Sequence, residues 1–265
     1  MTTSSPPIPR RRRVKQSGGG LPGATAAEWT KLWSLDSTWI LLLTAAATMG
    51  VGAMGIGLLT HVGSRADAAA RVPDPATSAT IHGVAFVVAA LAMLSVTGEY
   101  ATGSITNTLQ CVPDRTRMML AKCIVMGGVA FVAGLVLGAL GIVAGALAFE
   151  TTEFDRPQAL AQIAALAVLL TLMSLVALGL AAMVRNSAGT LAALFLLLIV
   201  VPAILAAIPF DPAHDLAYLL PQAAGACFAA GAPAPYSRPT GLLLLTAWSL
   251  AAPIAATVWL RHRDA

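Results

Sequence analysis

Apolar residues run along most of this chain in long stretches, separated by short segments that carry charged residues, prolines or other polar residues. A helix needs roughly 20 apolar residues to cross a bilayer, and inside lipid the backbone must satisfy its own hydrogen bonds. The pattern therefore predicts an all-α polytopic membrane protein whose transmembrane domain, residues 39–265, contains six transmembrane helices. The six predicted spans are residues 39–59, 80–97, 123–149, 159–184, 190–210 and 241–260.

Composition supports a membrane protein over a soluble one. Of the 265 residues, 57% are hydrophobic and 11% are charged, whereas soluble domains carry about 25% charged residues. The mean hydropathy is +0.79. A soluble fold would have no place to bury so much apolar surface, so a water-soluble globular domain is excluded.

The N-terminal region precedes the first span and divides into two parts. Residues 1–23 are rich in Pro, Ser, Gly and Arg, and we expect a disordered basic tail whose arginines attract anionic lipid head groups. Residues 24–38 are expected to form an amphipathic helix at the membrane interface.

Four residues define the expected interface helix. Trp29 and Trp33 share an apolar face at head-group depth, while Glu28 and Lys31 lie off that face and are spaced to form an ion pair. Thr25, three residues before Glu28, has the spacing of a capping box, so we expect it to cap this helix.

The basic residues predict the orientation. With both termini in the cytoplasm, 12 of the 16 Lys and Arg residues fall on the inner side. Inner segments of membrane proteins carry an excess of these residues. We therefore expect a multi-pass protein of the cell membrane with its N- and C-termini inside.

The inner loop between the second and third spans predicts a short helix over about residues 104–112. Ser104 can cap this helix and Pro113 ends it, while Ile105 and Leu109 share an apolar face. That face could occupy a groove in a partner or pack beneath the chain's own bundle, and periodicity does not separate the two.

Residues on either side of that helix have predicted roles as well. Glu99 and Tyr100 mark the membrane exit of the second span, and Gly103 permits a turn. Asp114 can cap the helix that enters the third span.

Glycine patterns indicate close helix packing. Gly134, Gly138, Gly141 and Gly145 form a stripe on the third span, which allows neighbouring helices to approach closely. The neighbours could belong to the same chain or to a second copy across a dimer seam. Residues 50–55 match a dinucleotide-binding pattern. That motif functions only between a β-strand and the start of a helix, whereas these residues lie in the middle of a predicted span, so we reject the cofactor interpretation.

Chemistry that would make the chain an enzyme is absent from the sequence. There is no phosphate-binding Gly-Lys-Ser/Thr loop, no catalytic triad, no paired carboxylates and no metal-ligand spacing. Ionisable residues are nearly absent from mid-membrane positions, which is unusual for ion-coupled carriers. Any transport by this chain is therefore expected to be passive or driven by another subunit.

The outer loop over residues 211–239 is expected to form a short pair of helices that dip into the outer leaflet and return. Pro202, Pro209 and Pro253 are expected to kink or end their helices.

Four passages, taken in order, resemble the membrane subunit of an ABC-2 type transporter, especially the small permeases of actinobacteria. The resemblance covers residues 24–265 and depends on the order and spacing of the passages. The passages are residues 28–39, residues 99–105 continued through Pro113, Arg115 and Lys122, residues 184–189, and residues 219–221.

The resemblance implies a working arrangement. Two permease subunits, identical or paralogous, would form the pathway of an exporter, and two separate ATP-binding subunits would hold ATP and magnesium. Residues 24–38 would be the connecting helix and residues 104–112 the coupling helix seated in the ATPase. This chain itself would bind no cofactor, metal or nucleic acid. The implied ATPase-coupling residues are Glu99, Tyr100, Gly103, Ser104, Ile105, Leu109, Pro113 and Arg115.

Two other functions are compatible with the residues. A stand-alone channel or secondary carrier would act without a partner, and a non-transporting membrane module would anchor or regulate a complex. Apolar and small side chains line the spans in either case, so the sequence does not indicate a substrate.

Overall fold

Helices form all regular elements in the residues that the computed structural model describes, namely 19–63, 75–105, 114–149, 156–230 and 234–263. The predicted all-α fold is confirmed for these residues. Two π-helical segments, Thr80–Val84 and Leu196–Val200, interrupt the α-helices. In chain order the α-helices are α1 (Gly20–Trp33), α2 (Asp36–Gly63), α3 (Pro75–Ala79), α4 (Ala85–Ala101), α5 (Arg115–Phe149), α6 (Arg156–Val184), α7 (Ser187–Phe195), α8 (Val201–Ala207), α9 (Asp211–Tyr218), α10 (Pro221–Ala230) and α11 (Arg238–Arg263).

The described residues contain five helices that are long and apolar enough to cross a membrane, as expected for a membrane protein. The remaining predicted span, 80–97, lies in a continuous helical run formed by α3, the first π segment and α4. Within that run, α4 is an apolar helix of 17 residues. The five are Asp36–Leu59, Arg115–Ala148, Arg156–Val184, Ser187–Ala207 and Arg238–Leu260.

Helices α4 and α7 run in opposite directions, as do α5 and α11. The rings of Phe86 in α4 and Phe195 in α7 are 6.3 Å apart, and Ser187 donates a hydrogen bond of 2.9 Å to Thr97, so α4 ends where α7 begins. Arg115 at the start of α5 donates a hydrogen bond to the carbonyl of Leu260, near the end of α11. We refer to this end of the bundle as the α1 end and to the other as the α9 end.

Glycines of the predicted stripe lie against helices of the same chain. A Cβ atom at Gly134 would be 2.5 Å from the Cα atom of Ala167 in α6, and one at Gly141 would be 2.8 Å from the Cβ atom of Ala76 in α3. Gly138 also packs on α6, and Gly145 is buried. These backbones approach so closely because glycine has no side chain, which favours association by van der Waals contact.

The most enclosed long helix is α6, which packs against α4, α5 and α11. Leu166, Leu170 and Leu178 are fully buried along it. Its tightest contact is with α11, where a Cβ atom at Gly179 would be 2.4 Å from the carbonyl carbon of Ala252. In lipid, such packing rather than water exclusion holds helices together.

The three prolines each have a local effect. Pro202 follows the second π segment, in which the altered turn accommodates a residue that cannot donate a backbone hydrogen bond. Pro209 lies just after α8 ends at Ala207, and Pro253 is inside α11 at its closest approach to Gly179.

At the α9 end, the expected short pair is present as helices α9 and α10. Tyr236 donates a hydrogen bond of 2.5 Å to the carbonyl of Tyr218, and Trp248 donates one of 2.9 Å to the carbonyl of Leu219. These bonds connect the turn between α9 and α10 to the third turn of α11 and to the segment before that helix.

Candidate functional site

The candidate site is a cluster of four charged residues at the α1 end, Glu28, Lys31, Glu99 and Lys122, which we call the ion cluster. It begins with two residues of α1 that are three positions apart and therefore face the same way. Lys31 Nζ lies 2.8 Å from Glu28 Oε1, so the predicted pair is confirmed.

The other two members come from neighbouring helices. Lys122 of α5 lies 2.6 Å from Glu28 Oε2 and 2.7 Å from Glu99 Oε1 of α4. Lys31 also lies 3.1 Å from Glu99 Oε1. Each lysine therefore contacts both carboxylates, and the cluster joins α1, α4 and α5.

Burial explains why the charges are grouped. The side chain of Lys122 is only 3% exposed, and those of Glu28 and Glu99 are 10% exposed. A buried charge is unfavourable unless it is paired and hydrogen-bonded. Lys122 meets this requirement with the two carboxylates and with the carbonyl of Ser95 at 3.4 Å. Two positive and two negative charges leave the cluster neutral overall.

Lys31 lies at the more open side of the cluster, where its side chain is 41% exposed. Burial is the largest single influence on its pKa and lowers it. The nearby carboxylates of Glu28 and Glu99 together outweigh burial and raise the pKa of Lys31 above its usual 10.5. Lys31 is therefore a stable cation at neutral pH.

A turn follows the end of α4, close to Glu99. The helix ends at Ala101, and Gly103 has a φ angle of +70°, a conformation that glycine adopts without steric cost. The hydroxyls of Thr102 and Ser104 are 2.9 Å apart. The predicted turn at Gly103 is thus confirmed. Ile105 follows Ser104, whereas Leu109, Pro113 and most of the predicted helix over 104–112 lie outside the described residues.

The re-entry of the chain into the bundle is also as expected. Asp114 Oδ1 accepts hydrogen bonds from the backbone N–H groups of Thr116 at 3.0 Å and Arg117 at 3.4 Å, which caps α5. Arg115, a predicted coupling residue, is anchored to the end of α11 by its bond to Leu260. Both ends of the loop between α4 and α5 are therefore attached to the bundle.

A second tight turn lies next to the cluster, between α6 and α7. Arg185 has a φ angle of 59°, unusual for a residue other than glycine, and its guanidinium lies 5.6 Å from the ring centroid of Tyr100. Such a cation–π contact is favourable. The side chain of Asn186 caps α7 by accepting a 2.8 Å hydrogen bond from the N–H of Gly189.

Three tryptophans lie along α1 and the start of α2. The ring centroids of Trp29 and Trp33 are 5.5 Å apart, and those of Trp33 and Trp39 are 5.0 Å apart. Trp29 is 51% exposed, and Trp33 is half-buried.

Two details of the prediction for α1 are wrong. The helix begins at Gly20, so Thr25 is inside it and donates to the carbonyl of Pro22 instead of capping. Glu28, expected to lie off the apolar face, is buried against the bundle. The reason is Lys122, whose buried charge requires an acidic partner from α1.

Sequence reasoning assigned no role to Lys122. The available signal was its position, since it follows Met118, Met119, Leu120 and Ala121 and precedes a long apolar run. A lysine placed so far into an apolar helix needs a counter-ion from another helix.

A cavity of about 310 Å³ lies beside the ion cluster and is lined by all four of its members. Within the described ranges, no group of three or more His, Cys, Asp or Glu residues could hold a metal ion. Chemically, the site offers paired charges of both signs, hydroxyls and apolar side chains, an arrangement suited to holding helices together or to binding.

Comparison of the chain with known protein families gives no match, and comparison with curated proteins gives none either.

Proposed function

We propose that this chain is the membrane-spanning permease subunit of an ATP-driven ABC transporter that works as an exporter. It would cross the cell membrane six times, with α3, the first π segment and α4 together forming the second span. Both termini would lie in the cytoplasm, and a separate ATP-binding subunit would supply the energy.

The observation that carries the proposal is the way the ion cluster joins three helices at the point where the inner loop leaves the bundle. Glu99 lies four residues before Gly103, where the chain turns away from α4. A force applied to the loop would be passed through Glu99 to Lys122 in α5 and Glu28 in α1. Rigid elements that are joined by buried polar contacts move as a unit, which is one way to transmit motion between sites.

Charge distribution supports a cytoplasmic position for the α1 end. Lys31, Arg115, Arg117, Lys122 and Arg185 all belong to segments at this end. Positively charged residues accumulate on the cytoplasmic side of membrane proteins. A cytoplasmic ATP-binding subunit would therefore meet the loop between α4 and α5.

The partner would supply what this chain lacks. Residues 104–112 would form the coupling helix seated in the ATP-binding subunit, which would hold ATP and magnesium. A second permease subunit, identical or paralogous, would complete the pathway. In this arrangement α1 would be the connecting helix at the interface, and Glu99, Tyr100 and Arg115 would fix the loop to the bundle.

The test is purification of the tagged full-length chain in mild detergent from its native cell. We expect a stoichiometric partner of ATPase size and vanadate-sensitive ATP hydrolysis. Leu109→Asp should release the partner, because a carboxylate would be placed on the predicted apolar face of the coupling helix. Leu219→Asp is the matched control, since it makes the same change in an exposed residue at the α9 end.

Three results would contradict the proposal. A chain that purifies alone and conducts solutes in liposomes would be a channel or carrier. A chain that binds a partner without ATPase activity would be an anchoring or regulatory module. Equal loss of the partner in both variants would show that the loop between α4 and α5 is not the contact.

A further inference from the structure

The cavity beside the ion cluster is more than a gap in packing, because its lining changes in polarity along the helices. On α4 the lining passes from Leu94 through Gly98 and Glu99 to Thr102. On α5 it passes from Met126 to Lys122 in the same direction. The cavity therefore has an apolar inner part, a charged belt and a hydroxyl-bearing rim.

The position of the cavity matches this gradient. It lies where α4 ends, where α2 begins at Asp36 and along about the first three turns of α5. All three helices are apolar, and two of them are long enough to cross a membrane. In a bilayer crossed by these helices, the charged belt would be at the depth of the lipid head groups, and the apolar part would lie towards the acyl chains.

The charges indicate which polar group fits. A ligand with a net negative charge would face Glu28 and Glu99, and one with a net positive charge would face Lys31 and Lys122. A zwitterion can place each of its charges against the opposite one. Lys31 is the most accessible of the four, whereas Lys122 is almost fully enclosed.

Glu28 has hydrogen-bonding capacity that the lysines do not exhaust. Its Oε1 accepts from Lys31 and its Oε2 from Lys122. Since each carboxylate oxygen has two acceptor positions, a ligand that carries N–H donors can add to the cluster without breaking it. A primary ammonium group meets this condition, and a quaternary ammonium group does not.

We propose that the cavity binds the head group of a zwitterionic aminophospholipid of the phosphoethanolamine class. Its ammonium group would donate to Glu28, its phosphate would face Lys31, and its first methylene groups would lie along Leu94 and Met126. The volume of about 310 Å³ is at the lower end of small-molecule pockets, which suits a head group whose tails remain in the bilayer. This inference does not depend on the proposed transport role.

The first test uses the unmodified full-length protein. It is reconstituted in nanodiscs with equal amounts of phosphatidylethanolamine, phosphatidylcholine and phosphatidylglycerol, and the lipid that stays bound is measured by native mass spectrometry. We expect about a tenfold preference for phosphatidylethanolamine, the discrimination that one charge-assisted hydrogen bond can provide. Equal retention of the three lipids, or a preference for either of the others, would overturn the proposal.

A pair of glycine variants locates the site. Gly98 lines the cavity, and a Cβ atom there would meet nothing within 4 Å, so Gly98→Phe should fill the space and abolish the preference. Gly128 on α5 is exposed and equally open, so Gly128→Phe should leave the preference unchanged. If Gly98→Phe aggregates on size exclusion, the smaller Gly98→Leu takes its place. Retention of the preference in the filled variant, or its loss in both variants, would show that the lipid does not bind in this cavity.

Discussion

The two ends of the bundle are held together by different chemistry. At the α1 end, four charged side chains from α1, α4 and α5 contact one another within 3.1 Å. At the α9 end, Tyr236 and Trp248 donate to backbone carbonyls of the turn between α9 and α10. The first arrangement requires specific partners on three helices, whereas the second uses an acceptor that every residue possesses.

This difference affects how each end responds to change. A neutral hydrogen bond contributes about 0.5–1.5 kcal/mol, and its loss at an accessible position is partly compensated by water. Removal of one partner from a buried ion pair costs about 3–5 kcal/mol, because the remaining charge is left uncompensated. The α1 end should therefore behave as one cooperative unit, and the α9 end as a set of independent contacts.

The largest expected effect comes from Lys122→Met at the α1 end. The substitution leaves the carboxylates of Glu28 and Glu99 close together, with only the more exposed Lys31 between them. We expect the free energy of unfolding to fall by about 3–5 kcal/mol, measured by denaturant unfolding in detergent micelles.

A double-mutant cycle tests whether the cluster acts as a unit. Glu28→Gln combined with Lys122→Met should cost less than the sum of the two single changes, since the pair is already broken by either. Strict additivity would show that α1 is not held by this contact.

A smaller effect is expected where the chain leaves the ion cluster. Gly103→Ala forces alanine into a φ of +70°, which costs about 1–2 kcal/mol. Gly98→Ala is the matched control, because neither position has an atom within 4 Å of the new Cβ and only Gly103 has a positive φ. The unfolding temperature should be lower in Gly103→Ala than in the unmodified protein, and it should be unchanged or higher in Gly98→Ala. Equal shifts would mean that the turn relaxes without cost.

Features that depend on neighbouring residues in sequence could be predicted. The long helices follow from the apolar stretches, the cap at Asp114 from its position before α5, and the Glu28–Lys31 pair from helical spacing. The short pair of helices at the α9 end is expected from the short apolar stretch within residues 211–239.

Features that depend on distant residues could not be predicted in this way. Glu28 and Lys122 are 94 positions apart, and no local rule connects them. Helical spacing places Glu28 off the apolar face of α1, and only the contact with the distant, buried Lys122 explains why its carboxylate is buried. The contact between the Arg185 guanidinium and the Tyr100 ring is similar, since it joins the turn after α6 to the distant helix α4.

At the α9 end, Tyr236→Phe removes the hydrogen bond to the carbonyl of Tyr218. We expect a loss of about 0.5–1.5 kcal/mol in the free energy of unfolding. Tyr218→Phe is the matched control, because the acceptor is its backbone carbonyl, which the substitution retains. A loss of the size expected for Lys122→Met would show that the two ends are equally cooperative and would remove the contrast between them.

The smallest effect concerns the pH dependence of stability and distinguishes the partly exposed Lys31 from the buried Lys122. Because the pKa of Lys31 is raised above 10.5 in the folded protein, its stabilising contribution is complete below the unfolded-state pKa and is lost as pH rises through the folded value. The difference in unfolding temperature between the unmodified protein and Lys31→Gln should therefore stay constant from about pH 7 to 9.5 and shrink only above about pH 10.5. Loss of the difference near neutral pH would mean that Lys31 is not held between Glu28 and Glu99, and that the more open side of the ion cluster is not part of the unit that joins α1 to α4.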